Sequence, residues 1–262
     1  MFDRERLLSH LSDPEERELG SRVIDLAEQV YRNNDPRFTD FLDPRGVDIA
    51  VGILRGIQGL AYFSSGGYRE AERRILAIYP DYYLTEILEL PLQCLQAEGD
   101  FSFEAVSHRD FLGSLLASGI KRSKVGDILL TDTGCQVVVV KDVADYIQNH
   151  WQAVHRVPIR VFPIEPEQLA VGSERVKEIR TTVASLRLDA IAGAGFGTSR
   201  TKMAKEIKAE RVKVNWQSVT NPSASVAQGD VISIRGRGRV EIAEVMGTTR
   251  KGRISVLLKR FI

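Results

Sequence analysis

Cysteine is nearly absent from this chain. Only Cys94 and Cys135 occur in 262 residues, far apart and outside any paired spacing. That argues against a disulfide-stapled secreted scaffold and against a cysteine metal site, and it fits two buried thiols in a reducing cytosol. Histidine is also scarce. His10, His108, His150 and His155 show no ligand spacing, so no metal is expected. No apolar run approaches the roughly 20 residues that cross a bilayer. The N-terminal segment MFDRERLLSHLSDPEERELG lacks the basic-then-apolar order of a secretory signal. Low-complexity tracts and internal repeats are missing too. The expectation is a cytoplasmic protein with no membrane insertion, no metal and no cofactor.

What is present is ordinary in amount and unusual in distribution. An apolar fraction of 43% and a charged fraction of 27% describe a globular chain, long enough for two or three domains. Lys and Arg number 36 against 35 Asp and Glu. Residues 181–262, however, carry 15 Lys/Arg and 6 Asp/Glu, a net of +9, while residues 1–180 carry 21 and 29, a net of −8. A compact basic segment on an acidic body is the electrostatic footprint of a polyanion binder, with RNA or DNA the first candidate. A solvated face without a partner is the bland alternative.

The patterning predicts an α+β fold in three modules. Residues 1–87 form an N-terminal α/β domain that is mainly helical. Asp13-Pro14 reads as a helix cap and first turn, followed by Val23, Ile24, Leu26, Ala27, Val30 and Tyr31 at helical spacing. Phe41 to Arg45 reads as an interruption and Ile49 to Leu60 as a second helix. Ala61 to Phe63 is a strand, Tyr68 to Arg74 a short helix and Ile75 to Tyr79 a further strand. Arg69, Arg73 and Arg74 read as salt-bridge partners of Glu70 and Glu72 more readily than as phosphate contacts.

Residues 88–180 alternate as strand (92–97), helix (107–118), strands (126–130, 136–140), helix (143–151) and strand (159–164). That β-α-β-β-α-β order is the ferredoxin-like plait. Ser107 and Asp110 have the spacing of a capping box. The aliphatic run Val137 to Val140 argues against base stacking on the sheet. The basic loop Lys121, Arg122 and Lys124 is a secondary candidate for RNA contact, balanced by an ordinary solvated connection.

Residues 181–262 carry the main site. Two helices are separated by Gly193 to Gly197, with Thr198 or Ser199 as the cap of the second. Met203, Ala204 and Ile207 form its apolar stripe and leave Arg200, Lys202, Lys205 and Lys208 facing solvent. Arg187 adds charge from the first helix, Lys213 and Asn215 follow on a strand, and Arg235, Arg237 and Arg239 extend the positive surface. Guanidinium suits phosphate because it donates two parallel hydrogen bonds. The helix N-terminus near Ser199 adds exposed amides.

The run RLDAIAGAGFGTSRTKMAKEIKAERVKVN, with Gly229-Asp230 further on, resembles the RNA-binding domain of ribosomal protein S-four type, the alpha-L motif. One departure is Glu210-Arg211, where the pattern has glycine before the strand. Phe41-Leu42-Asp43-Pro44-Arg45, Gly66-Gly67-Tyr68, Tyr79-Pro80, His108-Arg109-Asp110-Phe111-Leu112-Gly113 and Gly126-Asp127-Ile128 are similar to YlmH-type proteins over the whole chain. That resemblance implies a plait-like RNA-binding domain at 88–180 and an alpha-L domain at 181–262. It further implies a ribosome-associated RNA-binding protein, with large-subunit rRNA or tRNA as partner, acting in translation or ribosome quality control. Some relatives are linked to cell division, and photosynthetic members carry a photosystem label. The alternatives are therefore a protein-binding assembly factor or an RNA-modifying enzyme.

No catalytic residue is assigned. Arg187-Leu188-Asp189 echoes a pseudouridine synthase motif but continues into Ala190-Ile191-Ala192, so Asp189 reads as a partner for a nearby arginine or amide. His108-Arg109-Asp110 echoes a kinase catalytic loop, but Leu115 stands where a metal-binding Asn is needed. Gly193, Gly195 and Gly197 are not followed by Gly-Lys-Ser/Thr.

Overall fold

The computed structural model describes residues 2–171, 176–234, 236–249 and 252–261. The chain divides into two compact units, Met1–Gly172 and Ser173–Ile262.

The first unit opens with helices α1 (Arg4–Leu8), α2 (Pro14–Asn33) and α3 (Pro44–Leu54), with the short strand β1 (Arg37–Phe38) before α3. Both longer helices start on Asp-Pro. The Asp13 carboxylate accepts from the Glu15 and Glu16 amides at 2.8 and 3.1 Å, and that of Asp43 accepts from the Gly46 amide at 2.8 Å. Proline fits the first helical position because the amide it lacks would have no partner there. The second helix thus begins at Pro44, earlier than the expected Ile49. Strands β2 (Leu60–Ser65) and β3 (Ile75–Pro80) complete a three-stranded sheet in the order β1-β3-β2.

Residues 68–74 are not the expected helix. Their amides have a stronger partner elsewhere. The Asp127 carboxylate accepts from the Glu72 amide (2.7 Å), the Arg73 amide (3.1 Å) and the Tyr68 hydroxyl (2.8 Å). Arg73 and Arg74 are structural, as expected, but their hydrogen-bond partners are backbone carbonyls: Val125 and Phe41 for Arg73, Ala71 and Arg69 for Arg74.

The plait follows as β4 (Leu92–Gly99), α4 (His108–Ala117), β5 (Val125–Thr131), β6 (Gly134–Val140), α5 (Ala144–His150), β7 (Ala153–Val154) and β8 (Val157–Ile164). The sheet order β5-β6-β4-β8-β7 is antiparallel at every step, which is the ferredoxin-like arrangement plus one hairpin strand. The Ser107–Asp110 capping box opens α4 as expected. One face of the sheet packs on the helices through Leu95, Val137, Val139, Phe111, Leu115, Ile147 and Trp151. The other face is covered as well: Cys94, Val138 and Val140 pack with Phe41, Ile75 and Leu169. Alternation sends successive valines of β6 to opposite faces, and a run of four valines suits a sheet buried on both sides. Gln136 donates to the Gln168 carbonyl and accepts from the Ala170 amide, so the segment after β8 folds across the sheet. The surface on which RNA-recognition plaits stack bases is here an internal interface.

Phe41 is the wedge of that interface and is 2% exposed. Gly126 has no side chain where a Cβ would come within 2.7 Å of the Phe41 ring. Around the wedge, Arg73 donates to the carbonyls of Val125 (3.1 Å) and Phe41 (2.8 Å), and Arg122 donates to those of Val125 and Gly126. Burial, reinforced by the Arg73 charge, pushes the Arg122 guanidinium down to about 10.

In the second unit, β9 (Val176–Val183), α6 (Leu188–Gly195), α7 (Arg200–Lys208), β10 (Val212–Val214), β11 (Gln217–Ser218), β12 (Val231–Ile234), β13 (Gly238–Thr248) and β14 (Ile254–Phe261) follow. They form an antiparallel sheet in the order β11-β10-β12-β13-β14-β9, with α6 and α7 packed against it through Ile191, Met203, Ile207, Ile232, Val240 and Leu258. The expected division at 180/181 falls inside β9. That strand pairs with β14 along its whole length, so residues 176–180 belong to the second unit.

Removing the Phe41 ring should leave a cavity between the two layers of the first unit. Phe41→Ala is expected to cost about 3–5 kcal/mol. Denaturant unfolding followed by the emission of buried Trp151 measures this.

Candidate nucleic-acid interface

The α6–α7 pair is built to present cations. No side chain caps α6. Its first amides donate instead to the main chain, Leu188 to the Ala224 carbonyl (2.8 Å) and Asp189 to the Pro222 carbonyl (3.0 Å). Gly193 lets the Thr198 carbonyl approach to 3.0 Å of where a Cβ would stand, which brings the start of α7 against α6. Ser199 caps α7, its hydroxyl accepting from the Lys202 amide at 3.3 Å. Met203 and Ile207 are fully buried, and Arg200, Lys202, Lys205 and Lys208 are exposed as expected. Positions three apart on a helix lie on one stripe, so the three lysines form a continuous edge.

Asp189 sits beneath this edge at 6% exposure. Arg187 donates to it through Nε and Nη2 at 3.2 and 3.0 Å, and Arg200 Nη2 donates to both carboxylate oxygens at 3.1 and 3.0 Å. Burial alone pushes the Asp189 carboxyl up, but the hydrogen bonds and charges of the two arginines outweigh it and hold the pKa below the usual carboxylate range. The arginine side chains keep 38% and 53% of their surface exposed. Each guanidinium carries five N–H donors, so donors remain for a phosphate after Asp189 is satisfied. Among the described residues, no acidic side chain forms a salt bridge with Lys202, Lys205 or Lys208.

The remaining candidates are dispersed. Lys213 pairs across to Ser233 and Ser233 to Arg239, a row on the sheet face opposite the core residues Val212, Ile232, Ile234 and Val240. That row therefore lies on the side of the sheet away from α7. Arg239 stacks over the Phe261 ring at 4.4 Å. Arg237 is exposed in the β12–β13 turn, and Arg235 lies outside the described residues. The Asn215 side chain is spent internally: Oδ1 accepts from the Val231 amide and Nδ2 donates to Asp230, both at 2.9 Å. In the first unit, Lys121 is exposed. Arg122 is held by backbone carbonyls, and Lys124 pairs with Asp40 and Asp142 at 2.8 and 2.9 Å. Among the described residues no group of His, Cys, Asp or Glu could hold a metal ion, and no helix is long and apolar enough to cross a membrane.

Two backbone features escape a reading of the sequence. Glu210 takes a left-handed φ of 58°, so the turn survives where the alpha-L pattern has glycine. The β10–β11 hairpin turns on Asn215 and Trp216, with φ of 49° and 64°. Such two-residue turns favour Asn-Gly. A bulky side chain in the left-handed region costs roughly 1–2 kcal/mol. The signal was the Asn at the strand end, masked by the Trp that replaces the usual glycine.

Three family profiles match the chain: "YlmH, N-terminal" over residues 15–83, "Putative RNA-binding domain in YlmH" over 89–168 and "S4 domain" over 186–232. A Bacillus subtilis (strain 168) protein named "Ribosome-associated protein quality control protein P2" is 34% identical over 235 residues, which is 90% of this chain and 90% of that protein. The solved structure "Cell division protein ylmH from Streptococcus pneumoniae" is similar with a TM-score of 0.49 at 23% identity, over 60% of this chain and 96% of that one.

The Asp189 cluster makes a pH-dependent prediction. A carboxyl with a lowered folded pKa adds stability above its unfolded value of about 3.9, and that stability is lost as pH falls through the folded pKa. Asp189→Asn should cost about 1 kcal/mol near neutral pH, the half-exposed arginines limiting the size. The difference from wild type should vanish in strong acid. Thermal melts across pH measure it.

Proposed function

The chain belongs to the YlmH family, and we propose that it is a ribosome-associated RNA-binding protein that grips phosphates with the α6–α7 face. One observation carries this reading: among the described residues, Lys202, Lys205 and Lys208 have no acidic partner and stand beside two arginines fixed on a buried carboxylate. Unneutralised cations on a rigid edge gain most from replacing the counterions of a polyanion. Of the matched family profiles, that over residues 89–168 names RNA binding, and the B. subtilis relative is named for ribosome-associated quality control. The partner proposed is therefore large-subunit rRNA, tRNA or both, met in the cytoplasm during quality control of translation.

The reading is one of binding, without chemistry. The residues that echo catalytic motifs have structural work. Asp189 holds two arginines. Asp110 accepts from the Ser107 amide and hydroxyl in the capping box and pairs with His155. Leu115 is wholly buried. The acidic first unit lowers nonspecific capture of RNA, and its covered sheet face leaves the second unit as the main contact.

With five cations on the α6–α7 face, log affinity against log salt should fall with a slope of about −4.5, at about 0.9 per phosphate contact. The triple variant Lys202→Glu/Lys205→Glu/Lys208→Glu should flatten that slope by about 3 and bind at least tenfold more weakly at low salt. Titrating labelled rRNA fragments at several salt concentrations checks both. A variant slope equal to wild type would place the contact elsewhere.

A further inference from the structure

We propose that Trp216 is a stacking platform for an unpaired nucleobase of the bound RNA. The proposal rests on the reading of the second unit as an RNA binder and names what that unit holds besides phosphate.

Asn215 and Trp216 form a two-residue hairpin at the sheet edge, both at positive φ. Glycine would relax this conformation at the second position, and tryptophan strains it. Strain of this kind persists where the surroundings over-determine the backbone, and here they do. The Asn215 amide donates to the Val231 carbonyl at 2.8 Å, and its side chain bonds both Val231 and Asp230. Asp230 in turn accepts from the Ala227 amide at 2.7 Å. The base of the indole is therefore fixed before any ligand arrives.

The core of the unit does not hold the ring. Trp216 is only partly buried and is not among the side chains packed on the core of its unit. Among the described residues the indole has no aromatic or cation–π partner and its N–H finds no acceptor. A large, rigid ring held in a strained turn, partly open and with no aromatic or cation–π partner among the described residues, leaves a π-surface for a contact outside the chain.

The hairpin also leads to the cationic site. β11 runs into residues 219–226, whose carbonyls at Pro222 and Ala224 accept the first amides of α6, and Ser225 bridges to Arg187. The turn is thus tied to the end of α6 where Arg187 and Arg200 meet on Asp189. Aromatic platforms beside basic grooves are how proteins hold single-stranded nucleic acid. Bases in a duplex are already stacked on each other, so the ligand is an unpaired nucleotide in a loop, bulge or single strand.

The chain has 2 tryptophans, and Trp151 is 2% exposed, so an emission change on RNA binding reads Trp216. The full-length protein is titrated with a short unstructured RNA and with a blunt duplex of equal charge, as wild type and as Trp216→Phe, Trp216→Leu and Trp216→Gly. Single-stranded RNA should quench wild-type emission. Leu and Gly should weaken its binding about tenfold while Phe stays within about threefold. The salt slope and duplex affinity should hold in all three variants, and Trp216→Gly should melt no lower than wild type. If the unstructured RNA binds without quenching, or Trp216→Gly binds it like wild type, the platform is refuted and the phosphate site stands. A Gly variant that melts lower and loses duplex binding equally would show a structural role and also refute it. Failure of the wild type to bind either RNA would overturn both readings.

Discussion

Asp189 is one carboxylate with two arginines on it, and the cationic surface depends on that arrangement. Long basic side chains on a small domain repel each other and lose rotamer entropy when fixed, so an array of them is not rigid by default. A buried anion changes this. It attracts Arg187 from before α6 and Arg200 from the start of α7, and so ties the two helices together at the end where their charges gather. The same contacts hold the guanidinium planes in place while leaving much of their surface open. Gly193 makes the close approach of the helices possible, and Met203 and Ile207 set the face that α7 turns outward. The lysines further along α7 then extend a surface whose origin is already fixed.

The first unit solves a different problem. Its plait has the strand order of many RNA-recognition domains, yet the sheet is covered on both faces, by α4 and α5 on one side and by Phe41, Ile75 and Leu169 on the other. Fold therefore does not transfer the mode of binding. The Lys121–Lys124 segment illustrates the point. Ser123 and Lys124 bond Asp40, and Arg122 lies against backbone carbonyls beside the Phe41 wedge. Of the loop's three basic residues, Lys124 ties the two layers of the unit, Arg122 braces its own strand and Lys121 stays exposed.

Much of this was legible in the sequence because it is local. Asp13-Pro14 and Ser107 with Asp110 mark helix starts through short-range hydrogen bonds. The alternation of residues 92–164 places four strands and two helices in the right order. The alpha-L run locates α6 and α7, although α6 continues through Gly193 to Gly195, into the expected loop. What could not be read depends on distant partners. Residues 68–74 look helical until Asp127, more than fifty positions away, takes the Glu72 and Arg73 amides. Residues 176–180 look like a plait tail until β14 is known to pair with them. The cationic candidates read as one patch, but strand alternation puts Lys213 and Arg239 on the face opposite the helices. Trp216 hid a hairpin because it occupies the place of the glycine that announces one.

The central claim is that the protein meets the ribosome through RNA and through the α6–α7 face. Its most direct test is sedimentation of the full-length protein with ribosomal subunits at low and high salt, beside an Arg187→Glu/Arg200→Glu variant. The account predicts that wild type travels with the large subunit at low salt, and that this is lost at high salt and in the variant. Wild type remaining at the top of the gradient at low salt, or a variant sedimenting as wild type does, would contradict it.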